Sequence, residues 1–474
     1  MKILGWKISK APKKTIKASN TSHYDVARTN RHNVKHWQYA NNFDADSILN
    51  STTRQIIRTR ARYEIDNNEY ADGIRETLAN DTIGTGPRLQ INDLNSKQAL
   101  EIEQSFRKWT RKIDWAEKLR LVRKAMLTDG ENFTRLTTDS KLDHIVKLDL
   151  QLIETDRVTS DYNSINKANE REGLIFDPDN NKVIAYKVLK EHPGSTASWL
   201  PASKLTGEFE TIDAKYMIHL FRAKRTEQHR GVCEITSALP TFSHLRRFMN
   251  STLDAAEFAA SYSGIIYKDG SEVEEEESLA LDTGDMFQME RNNLLVVPPN
   301  HKISQLDSKH PQTTFPAFKR EIITAMARPI SMPYNIAAGD SSSYNYASGR
   351  LDHQTYHKSI RVCRNYLEIN ALDRIFYAWL EEYKVATKQL TLQIADISWF
   401  WDGFEHVDPL KEANAQSRRL ESKTTTYAAE FAKEGKDYEV EMLQIAKEQA
   451  LMKKLGITKE DINKKLTSEK KRQG

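Results

Sequence analysis

The chain has 474 residues, 39% hydrophobic and 29% charged, with a formal net charge of +4. Such a length suggests about three domains and a substantial core, and no apolar run approaches the ~18 residues that would span a membrane. Two cysteines, Cys233 and Cys363, make neither a zinc spacing nor a disulfide framework, and the N-terminus "MKILGWKISK" lacks a secretory pattern; a reducing cytoplasm is therefore the expected setting.

Charge is unevenly spread. The first 35 residues carry nine Lys or Arg and one acid, Asp25, and the tail "KKLTSEKKRQG" is basic as well. Basic ends suit nucleic acid or an acidic partner, although solvated, partly disordered termini are the plainer reading. In chain order, residues 1–50 read as an arm with little core. From Ser51 the stretch "STTRQIIRTRARYEIDNNEYADGIRETLANDTIG" reads as helical, with Ser51 or Thr52 as its cap and a break near Asn67–Asn68. Ile57, Tyr63, Tyr70, Ile74 and Leu78 form its apolar positions. Gly84 and Gly86 then turn the chain into the strand-like "RLQI". Residues 97–128 predict helices whose core side chains are Phe106, Trp109, Trp115, Leu119 and Leu127.

A β-rich stretch follows: "NFTRLTT", "HIVKLDLQLIE", the hairpin pattern "GLIFDPDNNKVIAYKVL", and "YMIHLFR". After Gly231 a long helix is predicted, striped by Leu239, Phe242, Leu245, Met249 and Leu253. Residues 265–312 read as strand and loop, and include the acidic run Glu272, Glu274, Glu275, Glu276 and Glu277. That run is a solvated loop on the plainer reading, and a lip for a basic partner on the functional one. A second helix carries Phe315, Phe318, Ile322 and Met326 and is ended or kinked by Pro329. The polar "AAGDSSSYNYASGR" leads to another long helix, a strand "LTLQI", the Trp-rich "ISWFWDGFEHVDPLKEA", and about sixty helical residues in which Gly435 and Gly456 mark stops. The sum is a helix-rich α+β protein.

Catalytic patterns are incomplete. "TIGTGPRL" (82–89) has Leu89 where a dinucleotide loop needs its third glycine, and it stands between helix and strand in the wrong order. Pro87 removes a backbone donor, and no Lys-Ser or Lys-Thr follows as in a phosphate-binding loop. Gly339-Asp340-Ser341 and Ser348-Gly349 are fragments of serine-hydrolase signatures without the full elbow. His353 and His357 lie one helical turn apart with no glutamate next to the first, and Asp139, Asp143 and His144 read as a polar hairpin rather than metal ligands. No enzyme, metal or cofactor is expected.

The order of these pieces, with the strings "RARYEIDNNEYADGIRETLANDTIGTGPRLQ", "DGENFTRL", "QLIETDRV", "GLIFDPDNNKVIAYKV", "MIHLFRAKRTEQHRGV", "PYNIAAGDSSSYNYASGR" and "DPLKEANA", resembles the lambda-type portal proteins of tailed bacteriophages over about residues 50–455. The resemblance implies the portal fold and a ring, usually of twelve subunits, at one capsid vertex. It implies an N-terminal basic arm (1–50), a wing (51–230), a first stem helix (231–264), a clip (265–312), a second stem helix (313–338), a tunnel loop (339–347), a long helix returning to the wing (348–404) and a helical crown (405–474). Double-stranded DNA would pass along the axis during packaging and ejection, with Ser341, Ser342, Ser343, Tyr344, Asn345 and Tyr346 facing it. Hydroxyls and amides bond phosphate without reading bases, and they lack the dense positive charge that would arrest a sliding duplex. Lys319, Arg320 and Arg328 would face the channel or bridge subunits, and the clip glutamates would dock partners. The implied partners are the terminase large subunit, the capsid or scaffold protein and the head–tail adaptor. The setting is the virion, after assembly in the host cytoplasm, and no membrane is involved. The readings that compete with this are a nucleic-acid-processing enzyme and a cytoplasmic scaffold protein.

Overall fold

In a computed structural model, residues 31, 33–92, 96–160, 169–195, 208–261, 265–268, 301–304, 315–342, 344–404 and 409–456 are described. A short helix, α1 (Ala45–Ile48), leads into α2 (Ser51–Asn67) and α3 (Glu69–Ile83). The predicted break is real: the Asn68 side chain accepts from the amides of Tyr70 (3.1 Å) and Ala71 (3.3 Å), so α3 begins where α2 stops. The cap of α2 is Asn50 rather than Ser51 or Thr52, because its Oδ1 accepts from Thr53 N at 2.9 Å and Ser51 is already helical. Ile74 and Leu78 are buried as expected, but Tyr63 is exposed, with the Arg246 guanidinium 5.0 Å from its ring centre.

Gly84 and Gly86 both take positive φ (57° and 100°), as the turn into β1 (Arg88–Ile91) requires. The Asp402 carboxylate clamps that turn, accepting from Thr85 N (2.5 Å), Thr85 Oγ1 (2.8 Å) and Arg88 (3.1 Å). A Cβ on Gly84 would collide with the same carboxylate. Helices α4 (Ser96–Lys112) and α5 (Trp115–Thr128) bury all five of their predicted core side chains.

Strands β2 (Glu131–Thr138), β3 (Leu148–Ile153), β4 (Glu170–Arg171), β5 (Leu174–Phe176), β6 (Val183–Leu189), β7 (Phe209–Asp213) and β8 (Met217–Phe221) form two antiparallel sheets, ordered β3-β2-β8 and β4-β5-β6-β7. The hairpin read from "FDPDNNKV" is the β5–β6 pair. Next come α6 (Leu239–Ser261), the antiparallel pair β9 (Ile265–Lys268) and β10 (His301–Ser304), and α7 (Phe315–Ala327). Pro329 stands in a 3₁₀ turn, Arg328–Ile330, that ends α7 as expected. After α8 (Tyr334–Ala338), α9 (Tyr346–Leu367) continues through a π turn, Glu368–Leu372, into α10 (Asp373–Thr387).

The strand expected at "LTLQI" is absent. Leu392 and Ile394 are buried in alternation, which explains the period-2 pattern, but the pairing belongs to β11 (Ile397–Phe400), antiparallel to β1. The described C-terminal residues, 409–456, form three helices: α11 (Pro409–Glu421), α12 (Tyr427–Lys433) and α13 (Tyr438–Lys454), with Gly435 and Gly456 at positive φ. Among the described residues the core falls in three clusters. One joins α4, α5 and α10 around Phe106, Trp109 and Trp379; another joins α2, α3, α6, α7 and α9; the third lies between the sheets around Phe133 and Phe176. The molecule is thus helix-rich α+β. No helix among the described residues is long and apolar enough to cross a membrane.

Candidate functional site: two helices, a polar loop and their buried anchor

Helices α6 and α7 pack on α2, α3 and α9 through Leu239, Phe242, Leu245, Ile323 and Met326, and burial fades along both. Leu253, the last residue of the predicted stripe, is 66% exposed, and Phe318 is 51% exposed. Phe248 stacks on Phe315 (5.8 Å between centroids) and meets Phe318 edge-on (5.5 Å). One end of the pair is therefore core and the other an aromatic surface.

The loop after α8 is ordered by its own short bonds. Gly339 takes the left-handed conformation that ends α8. The Asp340 carboxylate accepts from Ser342 N (2.9 Å) and Tyr334 Oη (3.3 Å), and the bond to Ser342 is the main reason its pKa lies below the usual range. Tyr344 N donates to Ser341 O at 3.1 Å. Asn345 caps α9: its Oδ1 accepts from Ser348 N at 2.9 Å. Ser341 and Ser342 are exposed, Tyr344 is half-buried, and Tyr346 is the first residue of α9. Ser343 and the glutamates at 272 and 274–277 lie outside the described residues.

The three basic residues go to different places. The Arg320 guanidinium lies over the rings of Tyr334 (4.7 Å) and Tyr344 (5.7 Å), which ties the loop to α7. Lys319 lies over Tyr70 at 5.2 Å, and Arg328 is exposed in the 3₁₀ turn. His353 bonds Asn335 (2.8 Å) and His357 stacks on Phe404 (3.8 Å). Asp143 pairs with Lys112 (2.8 Å) while His144 Nδ1 accepts from Val146 N (3.1 Å), so these groups serve separate local contacts. Glu154, Asp156 and His192 do converge at metal-ligand spacing. Two guanidiniums already occupy Asp156, however: Arg58 at 2.6 Å and Arg62 at 2.8 Å.

The anchor of α6 was not read from the sequence. Glu131, fully buried on β2, accepts from Arg54 (3.3 Å), Arg230 (2.6 and 3.0 Å), His219 Nε2 (2.9 Å) and Gly231 N (2.8 Å). Burial opposes its ionisation, but the Arg230 charge and the bonds from His219 and Arg230 outweigh it and hold the carboxyl well below its ordinary range. His219 is pushed down, mainly by burial. Arg230 also donates to the carbonyls of Val158 (3.1 Å) and Glu172. A few residues on, Arg123 and Glu234 form a second buried pair at 2.8 Å. Gly130 (φ 92°) and Gly231 let the two segments approach so closely that a Cβ on either would strike the other's backbone. The chain leaving the sheets for α6 is therefore held by two buried ion pairs.

The sequence profile of the phage portal protein, lambda family, matches residues 30–364. That range takes in α1 to most of α9, with the anchor, both helices and the loop. The chain belongs to the lambda family of phage portal proteins. It is 24% identical to the probable portal protein of Halomonas phage phiHAP-1 over 467 residues, covering 92% of this chain and 88% of that one. It is 20% identical to portal protein B of Escherichia phage lambda, covering 66% of this chain and 64% of that one. Among solved structures it is similar to a chain in the neck of an empty gene transfer agent particle, at a TM-score of 0.47 and 12% identity, over 80% of this chain and 93% of that one. Within the portal chain, the family-like strings converge. "DGENFTRL" supplies Gly130 and Glu131, and "MIHLFRAKRTEQHRGV" supplies His219, Arg230 and Gly231. "QLIETDRV" supplies Asp156 for Arg58 and Arg62. The signal was present, but only the fold shows what the strings have in common.

Proposed function

We propose that the chain is the subunit of a ring of twelve at one capsid vertex, through which double-stranded DNA enters during packaging and leaves during ejection. The observation that carries this reading is the family match, which runs unbroken through both candidate stem helices and the loop between α8 and α9. The loop's chemistry supports it. Ser341 and Ser342 offer exposed hydroxyls, the only acid in Gly339–Asn345 is Asp340, and Arg320 is engaged by aromatic rings below the loop. Phosphates sliding past such a surface meet weak, sequence-blind partners rather than a cationic trap.

In this reading α6 and α7 are the stem, with Lys319, Arg320 and Arg328 at its channel or subunit boundary. The body before Gly231 is the wing and meets shell or scaffold. Residues 265–312, with the glutamate run, are the clip that docks terminase and later the head–tail adaptor. The C-terminal helices are the crown. The portal acts as a passive conduit, and the terminase supplies ATP hydrolysis. Assembly takes place in the host cytoplasm. Native mass spectrometry tests this: twelve 54.6 kDa chains make a closed ring of about 655 kDa. A monomer or dimer under every assembly condition contradicts it. Deleting residues 341–346 is expected to leave the ring intact and to abolish packaging or retention of DNA; normal packaging by the deletion would remove the loop from the mechanism.

A further inference from the structure

Helix α13 has no buried residue over its 17 positions, and beyond Met442 every side chain to Gly456 is exposed. Among the described residues its contacts within the chain lie near its base, where Tyr438 meets Phe431 at 6.4 Å between ring centroids and Val440 and Glu441 border a cavity beside α4. Yet it is rich in large apolar groups: Leu443 and Leu451 are 52% and 55% exposed. At about 100° per residue, Val440, Leu443 and Leu451 fall within roughly 80° of arc. Tyr438, Met442, Ile445 and Met452 fall within a similar arc centred about 180° away. A helix that is apolar on both sides belongs between two partners, not against one. A helix this short also draws most of its stability from packing rather than from propensity.

We propose that α13 packs between the α13 helices of the two neighbouring copies, one apolar face against each, in a head-to-tail annulus. The inference rests on the ring reading above. A ring closed by rotation needs two different, mutually complementary faces on each copy, and α13 carries two. Charge agrees. Lys447 and Lys454 lie on the Val440–Leu451 face with Glu439 at its edge, whereas Glu441 and Glu448 flank one side of the Ile445–Met452 face and Lys453 the other, so the two faces differ in predominant sign. With α13 set along the ring axis, neighbouring copies run parallel, and Lys447 of one copy comes level with Glu448 of the next. The lysine stems cover apolar surface while their ammonium groups reach the glutamates.

The test uses the full-length ring and cysteines at Leu443 and Ile445, which are about 200° apart on the helix and so are poorly placed for linking within one chain. Cys233 and Cys363 are buried, and the unmodified chain serves as the background control. With a short bismaleimide, the double variant L443C/I445C is expected to give a covalent ladder of dimers, trimers and higher multimers. Each single variant is expected to give monomer alone. Amides 443–454 should also exchange at least tenfold more slowly in the ring than in a free helix. A ring of the expected mass that yields no ladder and fast exchange overturns this inference and leaves the ring reading standing. Dimers from a single variant mean like-with-like packing and overturn it as well. Slow exchange that is lost on removing residues 457–474, again without a ladder, means the helix is covered by its own tail. If no ring forms, the ring reading falls and this inference falls with it.

Discussion

Replacing Glu131 by Gln tests the anchor of α6 most sharply. The change keeps the shape but removes the charge, and it turns one acceptor into a donor facing Arg54, Arg230, His219 and the Gly231 amide. Arg230 is 3% exposed and Arg54 is 6% exposed, and the Glu172 carboxylate pairs with Arg54 (2.5 Å) and the Ser51 amide (3.2 Å). Breaking one member of a buried ion pair costs about 3–5 kcal/mol, because the other charge stays desolvated. That is a large part of a typical total of about 5–15 kcal/mol. Urea unfolding followed by circular dichroism should show this loss, and adding Arg230→Met should recover part of it, because the unpaired Arg230 charge is gone while the Val158 and Glu172 carbonyls lose its donors. A loss under about 1 kcal/mol, or a double variant that loses the sum of the two, would mean that Glu131 and Arg230 do not act as a buried pair.

Acid should act on the same hub. His219 has a folded pKa below its ordinary 6.5, so the unfolded chain takes up a proton first as pH falls. Its contribution is therefore complete above 6.5 and is lost as pH falls towards the folded value. Glu131 adds a contribution complete above 4.5 that is lost at still lower pH. Urea midpoints should thus decline steadily from about pH 7 downward, and His219→Phe should flatten the upper part of that slope. Gly231→Ala should destabilise by about 1–3 kcal/mol through overpacking against Gly130, seen as a lower thermal midpoint; an unchanged midpoint would contradict the close approach. Arg320→Ala should free the loop, raising amide exchange of Tyr344 about fivefold for a cation–π loss near 1 kcal/mol, and equal exchange would mean Arg320 does not hold it. Asp402→Ala should cost about 1 kcal/mol by removing the bonds to the Thr85 amide and Arg88, whose donors turn to water, measured as a shift in the unfolding midpoint.

Local chemistry was legible in the sequence where it acts over a few residues. The Asn67–Asn68 break, the β5–β6 hairpin and the turns at Gly84, Gly86, Gly435 and Gly456 each depend on near neighbours, and each was read correctly. The misreadings came from longer range. "LTLQI" has a strand's period, but which segment pairs with β1 is settled by partners some 300 positions away. Asn50 outcompeted Ser51 because the helix began one residue earlier than the apolar pattern suggested. The Glu131 hub draws on residues 54, 131, 219, 230 and 231, and no spacing rule links them. The loop's polarity was plain in "GDSSSYNY", but the Tyr334–Arg320–Tyr344 contact that fixes it needed the fold.

The most direct test of the central claim is an end-on reconstruction of the purified assembly by electron cryomicroscopy. A closed ring is expected, with an axial hole wide enough for a duplex and residues 339–347 of every copy at its narrowest girdle. A closed particle without a hole, or a ring whose narrowest girdle is built from other residues while 339–347 lies on the outer face, would contradict the conduit.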